Sequence, residues 1–274
     1  MRLVSFSHAS DAARVGELDG EGVHALTAAS MIDWLAGEGR ERAGDSFDLE
    51  EVRLLAPVPD PPSVRDFFAY EGHVAAGWRR RGSDIPPAWY EAPVFYFSNP
   101  ASIRGPGDEV PRPPATRELD FELEIAAVVG AEGEIAGFTL MNDWSARDVQ
   151  RTEMTVGLGP HKGKDFATSL GPWLVTPDEL PFDGRRLNLE AVVLVNGEEL
   201  SHCHANEQHF TWPAMLEHAA RDTRLRPGDV LGSGTLTGGC LLELGPLDGD
   251  RWLEPGDVVT LDAEGLGRLE NRVA

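Results

Sequence analysis

The stretch LDFELEIAAVVG, residues 119–130, decides how the chain is built. Leu119, Phe121, Leu123 and Ile125 alternate with Asp120, Glu122, Glu124 and Ala126, which is the two-residue period of a β-strand. Glu122 and Glu124 therefore share a face, roughly 7 Å apart along the chain. The run then turns wholly apolar through Ala126, Ala127, Val128 and Val129, as a strand does on entering a core. Carboxylates on such a strand need compensation, since two unit charges about 4 Å apart repel by roughly 4 kcal/mol at an effective dielectric near 20. A second phrase, TLMNDWSARDVQ at residues 139–150, adds Asp143. A Glu-x-Glu strand with a distant Asp suits a hard divalent cation with oxygen ligands. A solvent face neutralised by Lys or Arg on the next strand fits the same spacing.

Composition narrows the class. The chain has 274 residues, enough for one large domain or one domain with an appendage. Its 30 Gly and 20 Pro imply many tight turns and argue against a helical bundle. A formal charge of −22 argues against nucleic acid or an anionic membrane as partner. Cys203 and Cys240 are too few for a disulfide framework and fit a reducing compartment. The start, MRLVSFSHASDAARVGELDG, lacks the apolar core of a signal peptide, and no later run reaches transmembrane length. The expected location is cytoplasmic.

Two units are expected, 1–58 and 59–274. In the first, RLVSFS and ARVGELD read as strands joined near Ser10–Asp11, followed by GVHALTAA and a short amphipathic helix, MIDWLAG. The proline-dense APVPDPPS at 56–63 is the junction. Beyond it, strands are expected at 93–97, 119–129, 137–141, 187–195, 230–231 and 258–262, and helices at 72–81, 145–154 and 211–223. The class is a β-rich α+β fold with short helices. The glycine-rich GSGTLTGG lacks the strand–GxGxxG–helix context of a dinucleotide site. Asp143 is expected at or just before the 145–154 helix, where free N–H groups favour its charge. Arg147 and Gln150 lie one turn apart on that helix, within reach of one ligand; a plain N-cap and a solvated face fit equally.

LDFELEIAAVVG, MNDWSARDVQ and LGPHKGKDFATSLGPW, in that order, resemble the fumarylacetoacetate hydrolase family, in its short bacterial form. The resemblance runs from about residue 65 to the C-terminus. It implies that family's mixed β-sandwich or roll, a homodimer, and a divalent metal ion, Mg²⁺, Mn²⁺ or Ca²⁺. The metal ligands it implies are Glu122, Glu124, Asp143 and Asp66 of RDFFAYEGH. It makes His73 the general base and sets Lys164 near the reacting carbonyl. Substrate contacts fall on Tyr96, Arg147, Gln150, Lys164, Thr168 and Thr235.

Those roles make chemical sense together. Substrates of the family are 2-oxo or 1,3-dioxo acids whose adjacent oxygens chelate a hard cation, which serves as Lewis acid for the enolate left when a C–C bond breaks. Lys164 and Arg147 would restore attraction for an anionic substrate, and an imidazole suits the activation of water. The fumarylacetoacetases pair their His with a Glu from a late stretch matched here by CLLELG, which supplies Glu243; an ordinary strand-edge acid is the other reading of Glu243. Ala76 stands where the acylpyruvases and oxaloacetate decarboxylases carry a Glu, so hydrolytic C–C cleavage is favoured. Decarboxylation, isomerisation or hydration of 2-oxo acids in aromatic catabolism is the alternative. Phe68 replaces a substrate-contacting Tyr of the fumarylacetoacetases, which leaves the substrate open. GWRRRGSDIPPAWY at 77–90 reads as part of a lid, with residues 79–81 an exposed charge run. In SHCHANEQHF, His202, Cys203, His204 and His209 invite zinc, but a His-x-His on a short loop is only part of a tetrahedral set, so zinc is rejected there.

Overall fold

In the computed structural model, residues 1–9 and 12–274 are described; the expected turn at Ser10–Asp11 lies outside the described residues. The chain opens with β1 (Arg2–His8), β2 (Arg14–Asp19), β3 (Gly22–Leu26), α1 (Met31–Leu35), β4 (Arg42–Asp48) and β5 (Val52–Leu54). The helix α1 starts where expected because Ser30 accepts the Asp33 N–H and caps it. Past the proline-dense junction come β6 (Val64–Phe67), α2 (Glu71–Arg80), β7 (Phe95–Ser98), β8 (Ile103–Arg104), β9 (Glu109–Val110), β10 (Leu119–Asp120), β11 (Leu123–Val129) and β12 (Ile135–Asp143). Then follow β13 (Ser145–Ala146), α3 (Arg147–Met154), β14 (Thr168–Val175), β15 (Glu190–Val195), β16 (Glu198–His204) and α4 (Trp212–Ala220). The chain ends with β17 (Val230–Gly232), α5 (Leu241–Leu244), β18 (Val258–Ala263) and β19 (Gly267–Val273).

Two sheets dominate, so the β-rich expectation holds. The larger runs β4-β3-β2-β1-β14-β12-β11-β17-β6-β7, with β5 on β1 and β8 on β14. The smaller runs β16-β15-β18-β19-β9. The N-terminal strands continue the large sheet, because β1 pairs with β14 through Arg2 opposite Val175 and Leu3 opposite Leu174.

Strand β11 lies at the middle and is buried on both faces. Leu123, Ile125, Ala127 and Val129 pack in one core with Val193, Val259 and Leu261 of the smaller sheet. Ala126 and Val128 point the other way, into a core shared with Leu3, Val15, Met31, Trp34 and Leu35. Burial of each large aliphatic there contributes about 1.5–3 kcal/mol. Glu124 lies on the face of Ala126 and Val128, so the alternation carries a carboxylate into the interior.

Register then lines up the site. Asp66 on β6 sits opposite Gly232 on β17, Gly232 opposite Ala126 on β11, and Tyr96 on β7 opposite Asp66. On the far side of β11, Asp143 at the end of β12 pairs with Thr168 of β14.

Local expectations fail in three places. The helix expected at 145–154 starts only at Arg147, because Ser145 and Ala146 pair with β10. Asp143 is thus the end of a strand, not a helix cap. The strand expected over 119–129 is interrupted at Phe121–Glu122. His202 and His204 lie on strand β16, not on a loop, and share a face toward Glu190. Among the described residues, no helix is long and apolar enough to cross a membrane.

Candidate active site

Four carboxylates converge where β6 and β12 end and β11 begins. Oxygens of Asp66, Glu122, Glu124 and Asp143 lie within 4.8 Å of one another, and all four residues are buried. Asp66 Oδ1, Glu124 Oε1 and Asp143 Oδ1 have no hydrogen-bond donor. Buried carboxylate oxygens without donors are costly, and four buried carboxylates with oxygens within 4.8 Å of one another make the donor set of a hard divalent cation. The residues therefore fit the ion that the resemblance implies.

The cations around this cluster explain which carboxylates stay ionised. Lys164 donates to both Glu122 Oε2 and Asp143 Oδ2. Arg147 Nη1 is 2.7 Å from Glu122 Oε1. Burial works to raise Glu122, but Arg147 and Lys164 outweigh it and hold its carboxyl well below the usual range. Lacking such partners, Asp66 is pushed well up by burial and by the charge of Asp143, and Glu124 by burial and by Asp66. Burial also raises Asp143, against the pull of Lys164. Tyr96 donates its hydroxyl to Asp143 Oδ2 at 2.6 Å; burial, then Asp143, raises the phenol. Lys164 is disfavoured by burial, yet Asp143 and Glu122 hold its ammonium above the ordinary value.

The directions give a pH prediction. A carboxyl whose folded pKa is raised stabilises the fold at low pH and loses that contribution as pH rises through the folded value. Without divalent cation, thermal stability is therefore expected to fall as pH rises above the ordinary carboxylate range, through Asp66 and Glu124. Glu122, held low, acts in the opposite sense and only under strongly acid conditions. With Asp66 and Glu124 shifted upward, cation loading competes with protons for this pair, so affinity should rise with pH. Melting curves across a pH series, in EDTA and in saturating Mg²⁺, check this; a flat EDTA series contradicts it.

Asp120 is a site residue not anticipated, although it sits on the same alternation as Glu122 and Glu124. Its Oδ2 accepts from Arg147 Nε at 2.8 Å, while Oδ1 and Oδ2 accept the Leu241 and Leu242 N–H groups at 2.8 and 3.0 Å. It ties Arg147 to α5, the helix carrying Glu243. Arg147, 3% exposed, is taken up by Asp120, Glu122 and Gln150, whose Oε1 accepts from Nη1 at 3.3 Å.

His73 lies in the first turn of α2. Its Nδ1 is 2.7 Å from Glu243 Oε1, and Glu243 Oε2 accepts the Gly238 N–H at 3.0 Å. A carboxylate only accepts, so Nδ1 carries the proton and the Nε2 lone pair is free. Nε2 faces the cluster, 3.8 Å from Glu122 Oε1. Phe68 packs edge-on against the ring at 5.4 Å. Glu243 is thus on a short helix, not at a strand edge.

The other expected contacts are distributed around the same place. Thr168 is buried, with its hydroxyl 3.3 Å from that of Ser98. Thr235 is buried between β17 and α5, one residue after Gly234, whose N–H donates to Glu124 Oε2 at 3.0 Å. Residues 79–81 are exposed. Tyr90 ties its segment to the start of α2 by donating to Glu71 at 2.7 Å.

Gly232 was missed as well. A Cβ there would meet Asp66 Oδ1 at 2.6 Å, Met141 Cε at 2.7 Å and Glu124 Oε2 at 3.0 Å. Gly232→Ala is expected to displace two ligands, lowering cation affinity at least about tenfold and stability by roughly 1–3 kcal/mol. Calorimetric titration with Mn²⁺ checks it; unchanged affinity would mean the glycine is not needed for the cage.

A family model described as fumarylacetoacetate (FAA) hydrolase, C-terminal, matches residues 63–274, and one described as Rv2993c-like, N-terminal, matches residues 1–57. A fumarylacetoacetase from Oryza sativa subsp. japonica is 33% identical over 287 residues, covering 78% of this chain. The match spans 66% of the rice protein, about two thirds of its length. Protein Rv2993c of Mycobacterium tuberculosis is 33% identical over 240 residues, 84% of this chain and 82% of that protein. Among solved structures, a 2-hydroxyhepta-2,4-diene-1,7-dioate isomerase from Mycobacterium marinum superposes with a TM-score of 0.76 at 27% identity, covering 100% of this chain and 98% of that one.

Proposed function

The chain belongs to the fumarylacetoacetate hydrolase family, and from that premise we propose that it is a divalent-cation-dependent hydrolase cleaving a C–C bond in 1,3-dioxo acids of the acylpyruvate or fumarylacetoacetate type. One observation carries the reading: Glu243 holds His73 through Nδ1 and thereby turns Nε2 toward the carboxylate cluster. A base so placed can activate water beside the carbonyl to be cleaved, as hydrolysis requires; in an isomerisation the same imidazole would instead carry a proton between carbons.

Asp66, Glu122, Glu124 and Asp143 would hold the cation, and Mg²⁺ or Mn²⁺, with Ca²⁺ as a further candidate, would supply Lewis-acid polarisation of the substrate's adjacent oxygens. Glu243 holds the Nδ1 proton of His73 and supports the positive charge that develops on the ring. Nε2 takes a proton from water, whose oxygen adds to the carbonyl carbon. When the C–C bond breaks, its electron pair goes to the leaving carbon. The proton held at Nε2 goes to that carbon, so the acyl product gains hydroxyl and the other fragment gains hydrogen. Asp120 fixes Arg147, which with Lys164 keeps Glu122 ionised and offers positive potential to an anionic substrate. A cytoplasmic homodimer accompanies this reading; the exposed Phe97, Val156 and Leu158 leave apolar surface for a second copy.

Product analysis tests the reaction. Acylpyruvate, fumarylacetoacetate and oxaloacetate are offered separately with Mg²⁺ or Mn²⁺, and again after EDTA. Two carbon fragments carrying oxygen from water, lost on chelation, are expected. Carbon dioxide, or a rearranged or hydrated product of uncleaved skeleton, would move the protein to decarboxylation, isomerisation or hydration. Isomerisation has a specific motive in the full-length likeness to the mycobacterial isomerase.

A further inference from the structure

The reaction above leaves Cys240 without a role. It is fully buried, just before α5, with Sγ 3.7 Å from His73 Nδ1 and 3.6 Å from Glu243 Oε1. Nitrogen, sulfur and oxygen donors thus form a triangle whose third edge, Nδ1 to Oε1, is 2.7 Å. Tetrahedral zinc, with Zn–S about 2.3 Å and Zn–N and Zn–O about 2.0–2.2 Å, sets S···N and S···O edges near 3.5–3.6 Å and an N···O edge near 3.3–3.4 Å. Two edges already agree to within about 0.2 Å, and the third needs to open by roughly 0.6 Å as an ion replaces the hydrogen bond.

We propose that His73, Cys240 and Glu243 form a second cation site, separate from the carboxylate cluster and selective for a thiophilic ion such as Zn²⁺ or Cd²⁺. Donor chemistry separates the two sites: oxygen cages favour Mg²⁺, Mn²⁺ or Ca²⁺, while a thiolate with an imidazole favours softer ions. Three protein ligands leave a fourth position for water. The His73 and Glu243 side chains keep 7% and 9% exposure, so the site is not wholly sealed.

On binding, metal–sulfur, metal–nitrogen and metal–oxygen bonds form. The thiol proton leaves to solvent, and the imidazole proton moves from Nδ1 to Nε2. The lone pair that faces the cluster is thereby lost, so a thiophilic ion arrests turnover while the activating cation stays in place. The binding is independent of the reaction; the arrest rests on His73 being the base.

Protein saturated with Mg²⁺ is titrated with Cd²⁺ and followed by thiolate-to-cadmium charge-transfer absorption, with turnover measured in parallel. One equivalent per chain is expected to develop the band, and turnover is expected to fall with the same midpoint. The chain has only two cysteines, so the band should survive in Cys203→Ser and vanish in Cys240→Ser. Glu243→Gln should weaken Cd²⁺ binding at least tenfold. No band, or its loss in Cys203→Ser, overturns the site even if Cys240→Ser does not fold. A band with undiminished turnover upholds the site and overturns the role of His73 as base.

Discussion

His73→Gln is expected to lower kcat by roughly 10²–10⁴-fold, the usual contribution of a positioned general base, equivalent to about 3–5 kcal/mol of transition-state stabilisation. The amide has no basic lone pair to turn toward Glu122, and because its nitrogen sits at the Nε2 position rather than at Nδ1, melting temperature is measured alongside to report any loss of the Glu243 contact. Cation affinity should change little, because Nε2 stands 3.8 Å from Glu122 Oε1, beyond bonding distance. The measurement is steady-state kinetics on the cleaved dioxo acid, with Mn²⁺ titrated in parallel. A kcat within tenfold of the parent would remove His73 from the chemistry. It would favour a binding protein in which the carboxylates hold a purely structural ion.

Glu124→Gln should separate the two ways in which this interior relieves its charge. Five buried carboxylates, counting Asp120, face two buried cations, Arg147 and Lys164, so they cannot all ionise without a further cation. Without one, Glu124 is pushed well up by burial and by Asp66, which favours its protonated form. An amide has the shape and charge of that neutral acid and can still accept the Gly234 N–H. Cation-free stability should therefore be nearly unchanged. Divalent affinity should fall by roughly 100-fold or more, since even partners that only orient metal ligands are worth about 10–100-fold. Calorimetric titration and melting in EDTA are the readouts. Full affinity in the variant would exclude Glu124 as a ligand, and strong destabilisation in EDTA would mean that it is ionised there.

Several parts of this site could be read along the chain because they depend on local geometry. Residues 119–129 alternate, and in a strand alternation alone decides which side chains share a face. That period sets Asp120, Glu122 and Glu124 on one expected face, but the strand breaks at Phe121–Glu122, so only the fold brings Glu122 and Glu124 together and makes Asp120 an anchor for Arg147. The apolar run after Glu124 likewise required burial on both faces, which two cores provide. Local signals misled where long-range pairing overrode them. Ser145 and Ala146 have the look of a helix start, yet they pair with β10, and the Ala146 N–H donates to the Gly163 carbonyl.

The sequence by itself thus determined a β-rich chain, the alternation of its acidic stretch and the residue types of a cation site, because period and donor chemistry are written in adjacent residues. Only the tertiary structure decided which charges meet. Lys164 reaches Asp143 across 21 positions and Glu122 across 42, Asp120 reaches Leu241 across 121, and His73 reaches Glu243 across 170. Contacts at such separations are set by strand order and register, and these settle which carboxylate is ionised, which holds a proton, and which way the imidazole faces.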